Sequence, residues 1–113
     1  MTTHHPQAIA STIYQQFGGG RASAMIGMYG QGYGTDASGN PYLSFSFKAG
    51  RKANYCTITL NAMDTYNMVI EKVSRMSKDP YIKRKVVADH KGVYGDQLKP
   101  LFEVATGLLL QLF

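Results

Sequence analysis

The chain has 113 residues, 44% apolar and 17% charged, with twelve Lys and Arg against seven Asp and Glu for a net charge of +5. This length gives a single domain over residues 1–113, and the apolar fraction excludes a disordered chain. One cysteine, Cys56, excludes an intramolecular disulfide and an all-cysteine metal site, and no apolar run reaches the roughly 20 residues that span a bilayer.

The first residues, MTTHHPQAIAS, have no cationic start followed by an apolar stretch, so the reading predicts no signal peptide and a cytoplasmic protein. Pro6 suits the first turn of a helix, where its missing N–H is harmless. Ile9, Ile13 and Phe17 recur at four-residue intervals, and Gly18, Gly19 and Gly20 supply a helix stop, which predicts a helix from about residue 7 to 17. In residues 21–28, Ala22, Ala24, Ile26 and Met28 alternate on one face and predict a strand. Residues 29–41 hold Gly30, Gly32, Gly34 and Gly39 with Asp36, Asn40 and Pro41, the chemistry of a loop.

Two alternating strands follow. Leu43, Phe45 and Phe47 oppose Ser44, Ser46 and Lys48, while Cys56, Ile58 and Leu60 oppose Tyr55, Thr57, Thr59 and Asn61. Each strand thus has one buried and one wet face. A basic, glycine-containing turn with Lys48, Arg51 and Lys52 joins them. Residues 66–76 fit a helical stripe (Tyr66, Val69, Ile70, Val73) and a strand face (Tyr66, Met68, Ile70); their β-branched and aromatic content favours the strand. Lys78, Asp79 and Pro80 form a turn, and KRKVVADH reads as a further short strand. Asp96 suits a helix N-cap, Pro100 falls in the first turn, and Leu98, Leu101, Phe102, Ala105 and Leu109 make an apolar stripe, with Gly107 a stop. The result is an α+β fold, a four-stranded antiparallel sheet flanked by an N-terminal and a C-terminal helix.

Catalytic chemistry finds no foothold in this pattern. A nucleophile needs an oriented base, and the histidines are His4, His5 and His90. Asp64 and Asp89 have no acidic neighbour for two-carboxylate work, and Asp64 suits a turn closed on its own backbone. Adjacent His4 and His5 point apart, which does not gather a metal's ligands. Both glycine clusters lack the following helix that a phosphate cradle requires. Cys56, on the Ile58 and Leu60 face, reads as a buried apolar residue. The expectation is a protein that is not an enzyme and holds no metal or cofactor.

Binding chemistry is better represented. Tyr42 and Tyr55 fall on the wet faces beside Lys48, Arg51 and Lys52, and Lys83, Arg84 and Lys85 form a second basic cluster. Cationic grooves with aromatic faces hold single-stranded nucleic acid. The plainer reading of the same residues is a tyrosine-covered sheet whose lysines guard against edge pairing. The segment bearing Tyr29, Tyr33 and Tyr42 suits contact with a protein instead, since tyrosine gives large contact area at low entropic cost. The tail, Leu108, Leu109, Leu110, Leu112 and Phe113, carries apolar surface that needs either its own sheet or a second subunit, the latter through Leu109, Leu112 and Phe113.

An ordered set of short motifs adds a resemblance. Phe17-Gly18-Gly19 with Arg21, Ala24-Met25 and Gly27 is followed by Leu43-Ser44-Phe45, Asn54-Tyr55, Ile58-Thr59-Leu60 and Asp64-Thr65-Tyr66. Val93-Tyr94, Asp96, Leu98, Phe102 and Thr106-Gly107-Leu108 complete it. Over nearly the whole chain this resembles a family of small proteins of uncharacterised function encoded by bacteriophages and prophages. The resemblance implies a phage or mobile-element origin and action in the bacterial host cytoplasm; it brings no catalytic residues. The Gly- and Tyr-rich segment 29–42 is longer here than in that pattern, so a partner bound there would differ within the family. The functional expectation is an accessory protein binding nucleic acid, single-stranded, with an effector that inhibits a host defence system or host enzyme as the alternative.

Overall fold

The computed structural model describes residues 6–48, 53–75 and 82–106, with the backbone alone for Pro6, Arg75, Ile82 and Lys83. Helix α1, Pro6–Phe17, buries Ile13 and Phe17 of the expected stripe together with Ala10, while Ile9 is only partly buried against the core. Gly18 then turns the chain at φ 130, where a Cβ would lie 2.7 Å from that of Ala22. The glycine triplet is therefore a hinge between helices rather than the end of the helical part. Helix α2, Gly19–Ile26, occupies the segment expected to be a strand. Ala22 and Ile26 stand four residues apart and are both buried, whereas Ala24 between them is exposed, so the helical stripe wins over the alternation. Gly27, at φ 66, closes α2 with its N–H on the Ser23 carbonyl.

Five strands follow: β1 Met28–Thr35, β2 Pro41–Phe47, β3 Tyr55–Leu60, β4 Tyr66–Arg75 and β5 Ile82–Val93. They pair antiparallel in the order β1-β2-β3-β4-β5. The sheet has five strands where four were expected; β1 runs where the glycine content suggested a loop, while most of the segment expected as the first strand is helix α2. Residues 66–75 take the strand alternative. A 3₁₀ turn, Gly95–Gln97, leads into α3, Leu98–Thr106. Gln97 Oε1, not Asp96, closes that turn by accepting the Tyr94 N–H at 3.0 Å; Asp96 lies inside it. Gly107 and the apolar tail lie outside the described residues.

All three helices pack on one face of the sheet. Phe17, Phe45, Phe47 and Phe102 meet there with ring centroids 4.9 to 6.5 Å apart, each such pair adding about 0.5–1.5 kcal/mol beyond burial. Leu43, Cys56, Ile58, Met68 and Ile70 complete the same core, as their alternation predicts. No described element covers the other face.

The turns sort to two ends. At one end, Asp36 Oδ1 accepts the N–H groups of Ser38 and Asn40, and Asn61 Oδ1 accepts those of Met63 and Thr65. Asp64, with a left-handed backbone at φ 62, closes its turn through its own backbone as expected, its N–H donating to the Asn61 carbonyl at 3.1 Å, and Asn61 adds the side-chain closure. The β2–β3 and β4–β5 connections leave from the opposite end. There the Asn54 amide acts as one more ladder residue, donating to the Val73 carbonyl at 2.8 Å and accepting the Val73 N–H at 2.7 Å. Beyond the last β3–β4 backbone pair, Tyr55 with Glu71, β4 and β5 stay paired, with Lys72 opposite Lys85, Val73 opposite Arg84 and, past the Asn54 rung, Ser74 opposite Lys83. No described helix is long and apolar enough to cross a membrane.

Candidate nucleic-acid interface

The uncovered face is built from the residues that alternate with the core. One row across the sheet runs Tyr29, Ser46, Tyr55, Glu71, Val86; the next runs Gly32, Ser44, Thr57, Val69, Asp89; a third holds Gly34, Tyr42, Thr59 and Asn67. Strand spacing sets Tyr29 and Tyr55 about 10 Å apart on a common row. Between them and Tyr42 lies a shallow floor of small and hydroxyl side chains, Gly32, Ser44 and Thr57. Ser44 is only 8% exposed at its centre.

The β1 glycines make this floor possible. A Cβ at Gly34 would press 3.2 Å from the Tyr42 hydroxyl oxygen, because the Tyr42 ring lies across that glycine, whereas one at Gly32 would meet Ser44 Oγ at an ordinary 3.4 Å. Here the G-x-G-x-G run is a strand whose bare backbone seats a tyrosine, not a turn.

Cations border the first row. Lys48 Nζ stands 5.3 Å from the Tyr29 ring centroid, and the Arg84 guanidinium stands 5.2 Å from that of Tyr55. Arg84 also grips Glu71 with two contacts, Nε to Oε2 at 3.2 Å and Nη2 to Oε1 at 3.3 Å. These contacts hold both cations against ring faces.

Of the residues expected to bind nucleic acid, Tyr42, Tyr55, Lys48 and Arg84 share this face, and Tyr29, 51% exposed, joins them. Lys85 does not: it pairs with Lys72 on the other side of the sheet. Lys83 pairs with Ser74, and Arg51 and Lys52 lie outside the described residues, between Lys48 and Ala53. Two bulges decide this sorting. In β5 the register shifts at Val87, so Val86 and Arg84 reach the tyrosine face while Lys85 is turned away. In β1 the shift falls at Gly30, φ 61, and Gln31, which parts Tyr33 from Tyr29 and Tyr42. The three tyrosines proposed for protein contact therefore do not form one surface. Tyr33 instead borders a cleft of about 260 Å³ between α1 and β1, with Tyr14, Gln31 and Leu43.

Behind the face, Cys56 is buried completely, and its thiol is pushed far up, first by burial and then by the charge of Glu71. The Tyr66 hydroxyl donates to Gln16 Oε1 at 2.6 Å, tying the sheet to α1; burial first, and Asp64 second, raise its phenol. Among the described residues no three His, Cys, Asp or Glu side chains converge as metal ligands would. No protein-family model, curated protein or solved structure matches the chain.

Proposed function

We propose that this is a non-enzymatic nucleic-acid-binding protein that takes a single strand across the uncovered sheet face, with bases on Tyr29, Tyr42 and Tyr55. The observation that carries the reading is the open row of Tyr29 and Tyr55, each with a cation against its ring, beside the Tyr42 step. Every base has a π-face, so such a platform is tolerant of sequence, and Lys48 and Arg84 meet phosphates beside the stacked bases. The resemblance to phage proteins gives the setting, a bacterial host cytoplasm.

The test is titration of a labelled single strand at low salt, read by anisotropy and by quenching of tyrosine emission. Each of Tyr29→Ala and Tyr55→Ala should weaken binding by about 1–3 kcal/mol. The slope of log affinity against log salt should be about −0.7 per phosphate contact and become shallower in Arg51→Ala/Lys52→Ala. Absence of binding, or affinity indifferent to the tyrosine changes, would overturn the reading.

A second reading, inhibition of a host defence system or host enzyme by contact with a protein, is favoured by one feature. Tyr33, 54% exposed, stands beside the α1–β1 cleft on an edge strand whose outer side has no partner among the described residues. Capture of a host protein that persists after nuclease treatment, and is lost in Tyr33→Ala, would select it.

A further inference from the structure

Two carboxylates stand in the rows of the uncovered face, and they differ in their surroundings. Glu71 is held by two contacts from Arg84, and its side chain is only 14% exposed. Asp89 is exposed, and no described cation is in salt-bridge contact with it. It closes the row that runs through Gly32, Ser44, Thr57 and Val69. An ionised carboxylate accepts hydrogen bonds and donates none, and it repels phosphate. On a face that takes a polyanion, Asp89 therefore weakens binding unless donors of the ligand meet it. Its neighbours suit a base rather than a phosphate. Val69 is its cross-strand partner, and Val86, 56% exposed, follows diagonally in the next row, opposite Glu71. The two valines make an apolar patch flanked by Asp89 on one side and the Arg84–Glu71 pair on the other.

We infer that Asp89 selects guanine in the strand that crosses this face, an inference that rests on the single-strand reading above. Unpaired bases in a single strand expose their Watson–Crick edge. Guanine alone among the common bases presents two adjacent donor nitrogens there, N1–H and N2–H, which match the two oxygens of a carboxylate. Adenine, cytosine, thymine and uracil each present one donor nitrogen beside at least one acceptor, and that acceptor would face the carboxylate charge. A base lying on the Val69–Val86 patch turns its edge to Asp89. Strand β5 lies two strands, about 10 Å, from Tyr55 on β3, so the base at Asp89 and the base on Tyr55 belong to nucleotides close along one chain. The tyrosines accept any base; Asp89 adds a position that discriminates.

The experiment titrates the full chain with labelled single strands of one length. These are oligothymidylate and the same strand carrying guanine, adenine or hypoxanthine at isolated central positions. Hypoxanthine keeps N1–H and lacks the N2 amino group. Wild-type protein should bind the guanine strand at least about tenfold more tightly than the thymine or adenine strand, the discrimination expected of a bidentate pair, with hypoxanthine between. Asp89→Ala and Asp89→Asn change an exposed side chain and should melt as the wild type does. Asp89→Ala should lose the preference and bind oligothymidylate no more weakly, since a charge that repels phosphate is gone. Wild-type protein that binds all four strands alike would overturn the inference and leave the single-strand reading standing, whereas no binding to any strand would overturn both. A guanine preference that survives Asp89→Ala would place the discrimination elsewhere and overturn it. Equal loss on every strand in both variants would make Asp89 a support of the face rather than a reader of bases, and would overturn it as well.

Discussion

Cys56 stands between Phe45 and Ile70, its cross-strand neighbours, with no exposure to solvent. Its ionisation therefore requires the core to open, and its folded pKa lies above the unfolded one. The stabilisation from this difference is complete below the unfolded thiol pKa, about 8.5, and is lost as pH rises above it, at up to about 1.4 kcal/mol per pH unit. Denaturant midpoints should fall from about pH 8.5 upward in the wild type. In Cys56→Ala the fall should begin at higher pH, where Tyr66 contributes in the same sense. Parallel curves would show that the thiol ionises without opening the core. The burial of Cys56 was legible in the alternation with Ile58 and Leu60. The Tyr66–Gln16 hydrogen bond was not, because it joins residues 50 positions apart and depends on where α1 lies on the sheet.

Among the elements, the glycine triplet shows how one motif carries different demands. Gly18 has φ 130 and no room for a Cβ, whereas Gly20 lies in the first turn of α2, where a Cβ would have its nearest contact at 3.9 Å. Gly18→Ala should destabilise by at least about 2 kcal/mol, from a disfavoured backbone region and a backbone-proximal clash. Gly20→Ala should stabilise by about 0.5 kcal/mol, by reducing the freedom of the unfolded chain. Thermal unfolding of the pair checks both signs, and equal effects would disprove the hinge. Strands β2 and β3 were legible because clean period-two alternation has one reading. Residues 21–28 were not, since Ala22 and Ile26 satisfy periods two and four alike, and only the exposure of Ala24 separates them. Strand β1 was hidden because its glycines resemble turn chemistry; the signal that could have found it is the alternation of Gly32 and Gly34 with Gln31, Tyr33 and Thr35, while Gly30 falls in the bulge. The bulge at Val87, which selects Arg84 over Lys85 for the tyrosine face, leaves no trace in residue spacing.

At the scale of the whole molecule, which measures 49 × 40 × 21 Å, the antiparallel meander gathers most of the described strand cations toward one end of the sheet. Lys48, Lys72, Arg84 and Lys85 lie toward one end, with Glu71 the carboxylate among them, while the turns bearing Asp36 and Asp64 share the other with Lys91. Such a distribution orients the protein toward a polyanionic surface before contact. On a cation exchanger, Lys72→Gln/Lys85→Gln should therefore elute at lower salt than Arg21→Gln/Lys99→Gln, although both variants lose the same net charge. Co-elution would mean that only total charge matters. The basic clusters and the alternation of β2 and β3 were legible in the sequence; of the clusters, the described Lys48, Arg84 and Lys85 come toward one end. Their division between two faces required the bulges.

The Asn54 amide has a mechanical consequence. Because its two hydrogen bonds to Val73 add a rung that the backbone of β3 does not supply, a side chain sets where the broad sheet stops and the β4–β5 pair continues alone. A shorter or apolar residue at 54 would move that boundary back to Glu71, whose carbonyl accepts the Asn54 N–H. The β4–β5 pair would then be a longer and softer lever, with Lys72 hinged rather than braced. The stiffness of the β4–β5 pair at Lys72 and Lys85 is thus set by one side chain that lies on neither strand.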